Sequence, residues 1–153
     1  MRQCLEIDIE PDTQFVRIYY ETSPHLAALQ WLSPQQTSGS VSPFMFTQRE
    51  AILARSWIPC QNSPSVRFTY SASVRVPANL MAVMSASNPK EKAADGIYHF
   101  EMKQPIPLYL LALAAGDLVY TSLSDRAVVY AEPELIEKAA WGFIDIEKNG
   151  FCR

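Results

Sequence analysis

The side chains with the widest chemical reach are two histidines and three cysteines. A hydrolytic zinc site takes three protein ligands and keeps one position open, most often as H-E-x-x-H on a helix. His25 and His99 lie far apart, and neither belongs to such a motif. His99, within I-Y-H-F-E-M, reads as a sheet-face residue, and His25 as a loop residue. Cys60 with His25 would be the one imaginable thiol and base, but no family-specific cysteine signature surrounds Cys60. The five glycines are isolated, so neither a G-x-S-x-G elbow nor a phosphate-cradling loop is present. Cys4, Cys60 and Cys152 are odd in number and widely spaced, which implies no disulfide framework. They read as free buried thiols in a reducing, cytoplasmic compartment. The expectation is therefore no catalytic residue and no metal or other cofactor in this chain.

One further segment stands out, residues 46–64, F-T-Q-R-E-A-I-L-A-R-S-W-I-P-C-Q-N-S-P. It follows neither a strand nor a helix period and mixes Arg49 and Glu50 with apolar residues. On its own terms it reads as a short helical turn leading into a strand, with both charges in water.

The elements that would hold these residues are mostly strands. Leu5, Ile7 and Ile9 alternate with Glu6, Asp8 and Glu10; Pro11-Asp12 makes a turn; and residues 14–21 are aromatic and β-branched. This pattern predicts a hairpin. Between Thr22 and Thr47 the chain is broken by Pro24, Pro34, Gly39 and Pro43, with one apolar piece at 27–32. A connection that long is usually functional or mobile. Residues 65–76 carry the strongest alternation, with Val66, Phe68, Tyr70, Ala72, Val74 and Val76 on one face. Arg67, Thr69, Ser71, Ser73 and Arg75 take the other, as in a strand with one wet side. Residues 80–85, 97–102, 108–114 and 127–131 supply further strands, and 86–95 reads as a solvated hairpin connection. Glu132-Pro133-Glu134 opens a terminal helix over 133–147, with acids at the positive dipole end. Leu135, Ile136, Ala139, Ala140, Phe143 and Ile144 form its apolar stripe, which should pack on the sheet, and Glu134 and Lys138 are spaced as an i,i+4 pair.

The fold class is therefore all-β: a mostly antiparallel sandwich or saddle-like sheet with one C-terminal helix, in a single domain over residues 1–153. The net charge of −3 is scattered, which leaves no basic stripe for nucleic acid. The first residues lack a secretory apolar core. The longest apolar stretch, 106–115, falls far short of the roughly 20 residues that cross a bilayer, so no membrane partner is expected.

Several stretches, in order across nearly the whole chain, resemble the N-terminal domain of zinc aminopeptidases of the leukotriene A4 hydrolase type. They are Y-E-T-S-P at 20–24, A-L-Q-W-L at 28–32, Q-T-S-G at 36–39, and F-T-Q at 46–48 with Ala51-Ile52 and Ala54-Arg55. Downstream come I-P-C-Q at 58–61, S-P-S-V at 63–66, L-M-A-V-M-S-A at 80–86, P-I-P at 105–107, and Glu137-Lys138. The resemblance implies a β domain packed against a catalytic domain that holds the zinc. Through Gln48, Arg49, Glu50 and Ala51 it would form one wall of the active-site cleft. Glu50 matches the family's acidic residue that helps bind the free α-amine of a peptide N-terminus, with Gln48 and the Ala51 backbone lining the same pocket. An ammonium group leaving water needs such a carboxylate to offset its desolvation. Leukotriene A4 hydrolases carry glutamine there, so Glu50 favours peptides over an epoxide lipid. The resemblance also implies that the family domain begins several strands earlier than this sequence. The zinc motif and the G-x-M-E-N motif would lie in the catalytic domain beyond it. A sheet cut in this way leaves an unpaired edge that invites self-association. The other reading is a stand-alone β-sandwich binding module without peptidase activity.

Overall fold

The structure is a computed structural model that describes residues 5–48, 53–61 and 63–150, with the backbone alone over 145–150. The strongest alternation in the sequence forms its longest ribbon. β3 (Arg67–Arg75) pairs antiparallel with β5 (Ile97–Pro107), from Arg67↔Pro107 to Arg75↔Ile97. Exposed and half-buried residues alternate along all of β3, as period 2 requires. The register shifts between Phe68 and Tyr70, leaving extra β5 residues that include Pro105, which has no N–H for a ladder.

The ribbon's apolar face packs on a four-stranded antiparallel sheet of order β1-β2-β6-β4. Its strands are β1 (Leu29–Leu32), β2 (Phe44–Thr47), β4 (Met81–Met84) and β6 (Leu113–Gly116). Met81, Ala82, Met84, Tyr98, Phe100, Leu108, Leu111 and Leu118 form the buried centre between the layers. The Tyr98 hydroxyl donates to Leu80 O at 3.0 Å and accepts from the Ala93 N–H at 2.8 Å, so its buried polar tip is satisfied. A third unit, β7 (Val119–Ser122) with β8 (Val128–Ala131), carries α1 (Ile136–Gly150) against it. The chain is thus mostly antiparallel β with a single helix, as the alternation predicts.

Several expectations are corrected. Residues 5–21 form the turn, with Thr13 N–H donating to Glu10 O at 3.0 Å, but no strand on either side of it. An isolated two-stranded hairpin is marginal without a third strand or a core to lie on, and Leu5, Ile9, Phe15 and Tyr19 are all exposed. The long connection after Thr22 contains β1 and β2 themselves. β4 and β5 belong to different sheets, so residues 86–95 cross between layers instead of closing a hairpin. Where residues 108–114 predict one strand, Leu108–Leu110 make a 3-10 turn and β6 begins at Leu113. β7 forms where the sequence pattern predicts no strand. The helix begins at Ile136, after the Glu132-Pro133-Glu134 turn, and its stripe is only partly covered. Ile136, Ala139, Ala140 and Ile144 are half-buried, while Leu135 and Phe143 are exposed. No Glu134–Lys138 ion pair forms among the described residues. Cys60 is a free thiol but exposed instead of buried; Cys4 and Cys152 lie outside the described residues.

Candidate functional site

The segment singled out by sequence begins where β2 ends. β2 pairs with β1 in the register Leu29↔Thr47, and the Gln48 N–H extends that ladder by donating to Ala28 O at 2.9 Å. Thr47 Oγ1 accepts from the Leu113 N–H at 3.1 Å, tying the same end of β2 to β6. Gln48 therefore has a fixed backbone and an exposed side chain. Arg49, Glu50, Ala51 and Ile52 lie outside the described residues.

The chain resumes as a 3-10 turn, Ala54–Ser56, as the sequence suggests for this stretch. The turn is held by Ser56 N–H to Leu53 O at 2.9 Å and by Ser56 Oγ to the same oxygen at 2.6 Å. Ala54 is only 2% exposed and belongs to the core, which fixes the far side of the segment as the ladder fixes the near side.

Arg55, Cys60 and Tyr20 gather beside this turn. Desolvation pushes the Cys60 thiol up, and the Arg55 guanidinium opposes it without winning. Desolvation, and then Cys60, raises the Tyr20 phenol. A thiol held protonated is a weak nucleophile. His25 lies in the 22–28 connection with its N–H on Ser23 Oγ at 3.2 Å, and nothing described joins it to Cys60. His99 faces water on β5 opposite Ser73. Among the described residues no three His, Cys, Asp or Glu side chains converge, so the residues present do not fit a zinc ion.

Two contacts escape sequence reasoning. The Asn88 carboxamide takes both main-chain groups of Met84, accepting from N–H at 2.7 Å and donating to O at 2.8 Å. The Ser38 N–H donates to both carboxylate oxygens of Glu132, at 3.2 and 3.1 Å. Asn88-Pro89 is legible as a turn signal, whereas a contact between Ser38 and Glu132 has no local signature.

Residues 5–110, which hold both flanks of the segment, match the family model described as the peptidase M1 N-terminal domain. The chain belongs to that family. It is 43% identical over 138 residues to leukotriene A-4 hydrolase of Xenopus laevis, covering 87% of this chain and 23% of that protein. With leucine aminopeptidase 2 of Candida glabrata it shares 40% over 145 residues, covering 92% and 22%. The structure of native yeast LTA4 hydrolase superposes with a TM-score of 0.73 at 41% identity, over 83% of this chain and 20% of that one. The chain thus spans about a fifth of the length of these relatives.

Proposed function

We propose that this β domain forms one wall of the cleft in which a zinc aminopeptidase binds the free α-amine of peptide substrates. Its partners are the catalytic domain of the same enzyme, which holds the zinc, and the peptide N-terminus. The observation that carries the reading is the exposed end of β2, where Gln48 is held on the β1 ladder and Ala54 is sunk in the core. These two described residues flank Glu50 and Ala51 in the sequence. In this role Glu50 supplies the counter-charge to the substrate ammonium, and Gln48 and the Ala51 backbone supply polar lining. An internal peptide bond presents no such cation, so the same carboxylate makes the cleft selective for chain ends. The free thiol of Cys60 supports a reducing, cytoplasmic compartment.

The test is Glu50→Ala in the enzyme that carries this domain, assayed on free-amine and N-acylated aminoacyl substrates. Loss of a charge-assisted hydrogen bond costs about 1.5–3 kcal/mol, or roughly ten- to hundredfold in kcat/KM. That loss is expected for the free-amine substrate alone, with the melting temperature unchanged. Unchanged kinetics with a lowered melting temperature would overturn the assignment, as would zinc bound at one ion per isolated chain.

A second reading, a β module that binds partners without peptidase activity, draws on the exposed Phe15, Tyr19, Trp31 and Trp141. It expects Glu50→Ala to be neutral. Self-association through an open sheet edge is compatible with either reading.

A further inference from the structure

The two outer strands of the four-stranded sheet are partly covered by their own chain. Antiparallel alternation turns the main-chain groups of Leu29, Trp31 and Ser33 away from β2. There Leu29 N–H donates to Leu26 O at 3.1 Å, and Ser33 N–H to Gln36 Oε1 at 2.9 Å. On β4, Asn88 covers Met84.

β3 is different. Val76 N–H donates to Gly96 O at 2.9 Å, so the same alternation directs Val74 and Ala72 towards β5 and turns Arg75, Ser73 and Ser71 away. No described residue bonds to those outward groups, and β3 pairs with β5 alone. Long open edges of this kind are templates for another strand.

The same molecule holds an unused strand pattern. Leu5, Ile7 and Ile9 are 68%, 45% and 62% exposed, and they alternate with Glu6, Asp8 and Glu10. We propose that residues 5–10 of a second copy add to the outer edge of β3, and that the exchange is reciprocal. Both faces match. Leu5, Ile7 and Ile9 would continue the half-buried face of Phe68, Tyr70, Ala72 and Val74. Glu6, Asp8 and Glu10 would fall on the opposite face, which carries Arg67 and Arg75. Neither arginine has a carboxylate partner among the described residues, and nor has any of the three acids. A slip of one residue would turn the acids onto the core, so the register is set by the pattern. Residues 5–10 have no ladder partner among the described residues. A reciprocal exchange is two-fold symmetric and closes at a dimer.

The experiment is light scattering and sedimentation of the 153-residue chain across low to high micromolar concentration. The mass should rise to twice that of the chain, and less readily at high salt, because the acid–arginine pairs are screened. Ile7→Pro should abolish the dimer and leave the monomer's thermal melt unchanged, since residue 7 has no ladder bond to lose. Ser73→Pro, which removes an N–H directed away from β5, should do the same. With Asp8→Cys and Ser73→Cys combined, on the face that carries the acids and arginines, oxidation should give a cross-linked dimer. A chain that stays monomeric overturns the proposal, as does a dimer that survives Ile7→Pro. A cross-link closed within one chain also overturns it, by placing the segment on its own β3. Should Ser73→Pro fail to fold, Ile7→Pro decides alone. None of these outcomes bears on Glu50, so the cleft reading and the dimer fail separately.

Discussion

Gly96 sits at φ +68°, between Asp95 and the start of β5. A Cβ there would lie 2.1 Å from Val76 O, the carbonyl of the residue whose N–H bonds to Gly96 O. Backbone cannot give way as a flexible side chain can. Left-handed strain and the clash together should make Gly96→Ala cost at least about 1–3 kcal/mol. At about 2–4 °C per kcal/mol the melting temperature falls by several degrees, as calorimetry would record. Sequence alone identifies this glycine as isolated and no more, because φ and the approach of Val76 depend on how β3 and β5 are paired.

At the scale of elements, residues 86–95 act as a strap and not as a solvated loop. Asn88 takes the Met84 main chain, Pro89 O accepts from the Tyr130 hydroxyl at 2.8 Å, and Lys90 lies over the Tyr120 ring at 5.6 Å. Lys92 pairs with Asp117, and Ala93 meets Tyr98. Asn88→Ala leaves both Met84 groups without their partner, which should cost about 1–3 kcal/mol. A lower urea midpoint and faster hydrogen exchange at the Met84 amide would register it. The strands that alternate cleanly, β3 above all, were legible in the sequence because period 2 is a property of the residues themselves. β1 and β2 were hidden by the prolines and serines around them. The hairpin over 5–21 had the right residues and the right turn, but strand formation depends on what lies alongside. The candidate site rests on resemblance and not on pattern, since residues 46–64 have no period.

Across the molecule, three raised groups among the described residues point the same way with pH. Burial raises the Tyr130 phenol, helped by Tyr120, and desolvation raises Cys60 and Tyr20. Each folded-state acid holds its proton beyond the pH at which the unfolded chain releases it. Stability is therefore full below the ordinary thiol and phenol values and falls as pH climbs through the raised ones. Denaturant melts at increasing alkaline pH should show that decline. It should be smaller for Cys60→Ser, and alkylation of Cys60 should be slower than that of free cysteine near neutrality.

The tie between Ser38 and Glu132 has a mechanical meaning. Glu132 directly precedes the turn that launches α1, and Glu134 Oε1 lies 2.9 Å from where a Cβ on Gly39 would be. Ser38 and Gly39 belong to the connection between β1 and β2, whose opposite end carries Gln48. Four paired residues at about 3.3 Å each set those two ends roughly 13 Å apart. The bonds that seat the foot of α1 therefore also anchor the loop end of the hairpin that carries Gln48 at its other end.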